Sequence, residues 1–431
     1  MEKVFALVLC LTGIACGAAQ TDAVALRAWV DAAWTKVKTT YYSAKTGNIY
    51  ICPPAEVSPA SDFPGGLLKP ELGYGKGLED CAINGGVALS GLVDKYALTR
   101  DPAVRDDAAQ IARGLLNLVS AHPYKGFVAR GLCVEDGTSI CRLSSRDQVT
   151  HWAHGLYRYV AHGLASAAEK AEIAARFVDV SERMRRNVTK ANGWNFLQAD
   201  GTMDPRGICK MCETYPHEAA RLAMVYALTW KLTGDAQWRA AYEAVRAEAI
   251  DGSCVLEAVS LEMMQRLMPD YTLHQMNVSL EALLEVETDM AYRARIVRAM
   301  VVCARLAAAR AKRIRGADSR WLCGCAEVHL AQLMTPPDAF VYTDEQQAIL
   351  AEAIVAQPVA QAGATRCVHL FAAYWRLCVR TADDMSAGPV PRFGAAYFRG
   401  FRGCAIISSH EADCDRHLHV LEPDRGRLPL R

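Results

Sequence analysis

Apolar residues recur at helical spacing over most of this chain. Val87, Leu89, Leu92, Val93 and Tyr96 lead into a turn at Thr99-Arg100-Asp101-Pro102. Ala219, Leu222, Ala223, Tyr226 and Trp230 lead into Thr233-Gly234-Asp235. Another turn falls at Ser166-Ala167, and a helix runs back after each: 103–119, 168–188 and 236–250. Later turns come closer together, at Thr288-Asp289, Thr335-Pro336-Pro337-Asp338 and Thr381-Ala382-Asp383. They follow helical stretches at 280–286, 325–334 and 368–379. Ala, Leu, Arg and Glu fill these segments, as good helix formers should.

The spacing carries a repeat. Asp80, Asp147 and Thr214 each stand 19 residues before a turn, and successive members are 67 residues apart. One helical hairpin is therefore used again in the same register. Six turns require six first helices and give only five return helices. Residues 22–42, with Ala25, Leu26, Trp29, Val30 and Ala33 on one face, supply the sixth. A ring closed in this way has no ends to cap. The expected fold is all-α, an (α/α)6 toroid over residues 20–385, with 386–431 as an extension to which no role is assigned.

Composition agrees with one large core. The chain has 431 residues, 52% of them hydrophobic and 22% charged. A net charge of +1 argues against bulk binding to nucleic acid. Residues 1–19 read as a secretory leader: Glu2-Lys3, an apolar stretch from 4 to 15, then Gly17-Ala18-Ala19 before a cleavage point at Gln20. Lipidation at Cys16 is the alternative processing. Either route leads to a periplasmic or extracellular protein, and no later segment reads as a membrane span.

Of 16 cysteines, 14 follow the leader. Cys133 and Cys141 flank Glu135-Asp136-Gly137-Thr138, a hairpin turn across which they either bridge or remain as buried thiols. Cys209-Lys210-Met211-Cys212 with Cys323-Gly324-Cys325 is too tight in its second half for a usual zinc knuckle, so no metal and no other cofactor is expected. No P-loop, dinucleotide fingerprint or Gly-x-Ser-x-Gly elbow is present.

Candidate chemistry gathers where long loops, 43–80, 122–146 and 189–214, meet the first helices. Asp147, His151, His154 and Arg158 share one face of a helix. Asp147 is read either as a functional acid or as part of a capping pattern with Ser144. Asp80 is read as a functional acid or an N-cap, with Glu79 as its neighbour alternative. Glu213, Tyr215, His217 and Glu218 open the third first helix, with Pro216 in its first turn; Asp270, Tyr271 and His274 repeat the theme. Arg130, Arg142, Arg146, Arg206 and Lys210 lie in or beside these loops, where they bind an anionic ligand through paired hydrogen bonds or form a solvated surface. Tyr50, Trp152, Trp194 and Phe196 are stacking candidates that compete with a core role.

Taken together, these features resemble the six-hairpin glycosidase superfamily, nearest in pattern to unsaturated glucuronyl and rhamnogalacturonyl hydrolases. The likeness covers residues 22–385 as architecture. It rests on Asp80 in Leu78-Glu79-Asp80-Cys81, Asp147 in Arg146-Asp147-Gln148, and the Trp152-x-x-Gly155-Leu156-Tyr157 run. The many cysteines and the Cys133–Cys141 hairpin depart from the family pattern. The resemblance implies a hydrolase of acidic oligosaccharides in which Asp147 donates a proton and activates water. Asp80, Glu213 and His151 are the further catalytic candidates. Arg146, His154, Trp152, Tyr215, His217, Trp194 and Arg130 are the substrate-binding candidates. A polysaccharide lyase using His151 or His217 with Tyr215 is the alternative enzyme. A carbohydrate-binding ring without catalysis is the alternative outside enzymes.

Overall fold

Alternation of buried and covering helices dominates the structure. The computed structural model describes residues 25–258, 269–314 and 322–384. These contain twelve α-helices, and the fold is all-α with only isolated β-bridges. The helices are α1 over 25–36, α2 Cys81–Thr99, α3 Pro102–Ser120, α4 Arg146–Ala161, α5 Ala167–Asn187 and α6 Arg221–Thr233. They continue with α7 Ala236–Cys254, α8 Asp270–Val286, α9 Met290–Ile314, α10 Leu322–Leu333, α11 Asp344–Val355 and α12 Ala364–Asp384. Met1–Thr381 forms one unit and Ala382–Arg431 a second. The expected leader and the strand-like 404–407 lie outside the described residues.

Even-numbered helices pack on one another: α2 on α4, α4 on α6 and α8, α6 on α8, α8 on α10. Their residues are buried nearly all round, as befits an inner layer. The odd-numbered helices α3, α5, α7, α9 and α11 cover them. The closest crossing is between α2 and α4. A Cβ at Gly86 would sit 2.1 Å from the His151 carbonyl oxygen, and one at Gly155 would sit 2.8 Å from Gly86 Cα. Only glycine permits that approach, and it brings the starts of these two helices side by side.

The first described helix lies against the last. Trp34 stacks on Phe371 with ring centroids 4.9 Å apart, and Arg27 lies over Trp375 at 4.4 Å. Lys36 Nζ donates to the carbonyls of Val359, Ala360 and Ala362 at 2.7–3.0 Å. Val30 and Ala33 are fully buried.

Two expectations change. The turn at Thr381 is absent: α12 runs on to Asp384, with no Gly or Pro between 381 and 384 to end it. Residues 213–218 do not open a helix. The chain makes tight turns there, with Glu218 N donating to Tyr215 O, and α6 begins only at Arg221. Cys133 and Cys141 are unpaired thiols buried in a small apolar cluster with Tyr50, Phe63 and Leu78. That cluster, rather than a bridge, ties the loop before α2 to the loop before α4.

Candidate active site

Helix starts at the two ends of the hairpins are built differently. The covering helices carry side-chain caps. Asp101 accepts from Ala103 N at 2.9 Å, Asp235 from Gln237 N at 2.9 Å, and Ser166–Glu169 and Thr343–Gln346 form capping boxes. The inner helices α2, α4, α6 and α8 have no side-chain cap. Ser144 is used elsewhere, donating to Val128 O at 2.6 Å. Asp80 stands at the N-cap position of α2, but neither its side chain nor that of Asp147 caps a helix. Loop carbonyls serve part of the need for acceptors at these starts: Ala82 N donates to Arg130 O at 3.2 Å and Arg146 N to Ile208 O at 3.0 Å.

The two aspartates point to neighbouring partners instead. Asp80 Oδ1 accepts from Gln148 Nε2 at 2.9 Å and lies 3.5 Å from Arg130 Nη1. Arg130 also donates to Glu79 O at 2.7 Å and lies over the Tyr74 ring at 3.9 Å. Asp147 Oδ1 accepts from Arg221 Nη1 at 2.8 Å. The same guanidinium reaches Thr150 and Gln275 at 2.9 Å, and so ties the starts of α4, α6 and α8 together. Arg146 pairs with Glu218 and donates to the carbonyls of Gly207 and Lys210. Burial opposes the Glu218 charge, yet His217, Arg146 and Arg221 hold its pKa down at about 2.

Tyr271 stands among these acids. Burial raises the pKa of its phenol, and the negative charges of Asp147, Glu218 and Glu327 raise it further. Below it lie three imidazoles. His151 and His274 have ring centroids 5.1 Å apart, and His274 and His369 are 6.0 Å apart. Burial first, and then the neighbouring histidines, keep His151 and His274 far below the ordinary histidine pKa, so both rings are neutral. The site thus offers ionised carboxylates, neutral proton carriers and hydrogen-bond donors within one helix layer.

Other candidates lie elsewhere. Trp152 is wholly buried, with its indole N–H on Leu115 O and its ring against Phe177, so it is core. His154 bonds Glu281 at 2.7 Å, deeper along the same helices. Glu213 is exposed and 3.6 Å from Lys210, on the outside of the loop. Tyr215 is exposed and stacks on His217 with an interplanar angle of 7°. Trp194 is half-buried in a left-handed conformation, φ 63°, in the loop before α6. A surface groove of about 410 Å³ between Tyr42, Lys45, Gln110 and Arg113 is lined by none of the site residues.

Arg221, Glu327 and His369 carry no signal in spacing. Arg221 was hidden because α6 starts later than its sequence pattern, and the other two lie in helices whose starts are unmarked. Cys209, Cys212 and Cys325 are unpaired, and among the described residues no group of three or more His, Cys, Asp or Glu could hold a metal. No helix there is long and apolar enough to cross a membrane. No family model matches this chain, and neither a curated protein nor a solved structure matches it.

Proposed function

We propose that this protein is an exported carbohydrate-active enzyme, a glycoside hydrolase acting on acidic, uronic-acid-containing oligosaccharides by carboxylate general acid–base catalysis. The architecture we assign is an (α/α)6 toroid in which α1 completes the ring, a reading supported by its packing on α12. The observation that carries the function is the position of Asp147. Its side chain caps no backbone donor, and its Oδ1 accepts from Arg221 Nη1 at 2.8 Å. Asp80 is one residue away in contact space, through Gln148. Two carboxyl groups in different environments are what glycoside cleavage uses. Arg130 beside Tyr74 and the uncapped helix starts favour an anionic sugar.

A polysaccharide lyase is the second reading, favoured by the exposed Tyr215 ring stacked on His217. A screen against unsaturated and intact acidic oligosaccharides separates the two. Loss of ultraviolet absorbance on unsaturated uronides supports the hydrolase. Gain of absorbance on intact chains supports the lyase. Binding without either change leaves a carbohydrate-binding ring.

A further inference from the structure

Arginines at the rim are used differently. Arg146 bonds through both Nη atoms, to the carbonyls of Gly207 and Lys210 and to Glu218. Arg221 also uses both, for Asp147, Thr150 and Gln275. Arg130 uses one. Its Nη1 donates to Glu79 O at 2.7 Å and reaches Asp80 Oδ1 at 3.5 Å. Among the described residues its Nη2 meets no acceptor, and its Nε is buried without one. Nε and Nη2 form the edge that grips a carboxylate through two parallel bonds. Here that edge is unfilled on a residue only 6% exposed.

Gln148 lies beside it. Its Nε2 donates to the same two acceptors, Glu79 O at 3.0 Å and Asp80 Oδ1 at 2.9 Å. Both partners can only accept, so the amide nitrogen must be the atom that faces them. The amide oxygen Oε1 is left buried without a donor. An arginine edge and an amide oxygen thus adjoin at the starts of α2 and α4, each short of a partner, and leaving such groups unmatched is costly. Tyr74 holds the arginine in place. Its ring centroid is 3.9 Å from the guanidinium carbon, and Arg206 Nη1 donates to its hydroxyl at 2.6 Å. A ring stacked on a guanidinium face fixes the plane and leaves the edges free.

From this geometry we infer that Arg130 and Gln148 form the subsite that reads the carboxylate of the ligand. The Nε–Nη2 edge takes the carboxylate, and Gln148 Oε1 accepts from a hydroxyl of the same sugar. Every uronic acid carries that pair of groups. Asp80 meets Nη1, so it does not occupy the edge and stays beside the bound sugar. Tyr74, which touches Arg130, is a positioning residue. The inference deepens the uronide reading above and rests on it.

Binding, read without turnover, tests the subsite. Disaccharides of galacturonic and of glucuronic acid are titrated into the full chain by calorimetry, each beside the same sugar with its carboxyls reduced to alcohols. The acid should bind about 10–100-fold more tightly in at least one series, as charge-assisted hydrogen bonds predict. Arg130→Lys keeps the charge and a donor for Glu79 O but has no edge. It should erase most of that preference and leave the affinity for the reduced sugar as it was. Tyr74→Leu, at a half-buried position, should melt like the parent and narrow the preference several-fold, again without moving the affinity for the reduced sugar. It decides the matter if the lysine variant does not fold. Equal affinity for acid and reduced sugar in both series, binding of neither, or an unchanged preference in a folded variant overturns the subsite. A parent that prefers the acid but turns over no acidic oligosaccharide keeps the subsite and loses the hydrolase. One that turns over unsaturated uronides equally well with Arg130→Lys loses the subsite and keeps the hydrolase.

Discussion

The rim and the level beneath it use the same residue types on the same helices to opposite ends. About three to four turns below the rim, Asp94 of α2 accepts from Arg158 of α4 at 2.7 Å and lies 3.0 Å from Arg376 of α12. Arg376 also pairs with Glu281 of α8 at 2.8 Å, and Glu281 bonds His154 of α4 at 2.7 Å. Burial opposes both acids, yet Arg158 and Arg376 keep Asp94 below its usual pKa, and Arg376 and His154 do so more strongly for Glu281. This plug joins four inner helices, and both of its carboxylates have two partners. At the rim, Asn84 and His369 are buried without hydrogen bonds, and so is the Gln148 side-chain oxygen. Arg376 of the plug likewise keeps Nε and Nη2 without a hydrogen bond. The difference is that the two plug acids share one guanidinium, which joins their helices, whereas Asp80 and Asp147 at the rim are held by separate arginines.

The largest effect should come from breaking the plug. Glu281→Ala removes the shared partner of Arg376 and His154 and leaves buried charge uncompensated. Loss of one member of a buried pair costs about 3–5 kcal/mol, a large part of the stability of an ordinary domain. A urea midpoint should fall accordingly. An unchanged midpoint would mean that the plug does not hold the helices.

At the rim, the loss should be in turnover. Asp147→Asn keeps an oxygen that Arg221 can reach, so stability should drop by only about 1–2 kcal/mol. Loss of the acid–base group should lower turnover about 10²–10⁴-fold. Measuring both on one variant decides the matter: turnover that falls only in step with melting would make Asp147 structural.

Acid separates the histidines from the plug carboxylates on a pH axis. His151 and His274 at the rim are neutral when folded and take up a proton on unfolding. Their contribution is therefore complete above about pH 6.5 and declines as pH falls below it, by about 1.4 kcal/mol per pH unit for each ring. His154 of the plug and His162, the residue that follows α4, add to the same limb. Asp94 and Glu281 have lowered folded values, so their contribution is complete above about pH 4.5 and is lost only as pH drops towards those values. Urea midpoints against pH should bend twice, near 6.5 and again below 4.5. His151→Asn should make the upper limb shallower and leave the lower one unchanged.

These levels were unequally legible in the sequence. Turns at Thr99, Ser166, Thr233, Thr288 and Thr335 stood out because polar, Gly- or Pro-containing breaks interrupt helical periodicity. The register of Asp80 and Asp147 then marked the rim, since helix starts are locally encoded. The plug was not legible as a network. Arg158 and His154 appear as a polar face on α4, but their partners Asp94 and Glu281 lie 64 and 127 residues away, inside helices where one charge looks like any other. Thr381-Ala382-Asp383 failed as a turn because, unlike the breaks at Thr99, Thr233 and Thr335, it holds no Gly or Pro to stop the helix.

The smallest expected effect marks where the rim ends. Glu213 entered the candidate acids because an acid at position 213 fits the 67-residue register within one residue. In the fold its side chain is 65% exposed, α6 starts eight residues later, and its one ion pair, to Lys210, spans 3.6 Å. An exposed pair at that distance adds little. Glu213→Ala should therefore change the urea midpoint by about 0.5 kcal/mol or less and leave turnover as it was. A large loss of turnover would show that the loop before α6 swings Glu213 over the helix starts when substrate is bound. The contrast between rim and plug would then need a third, mobile layer, and the acids would have to be assigned again with Glu213 among them.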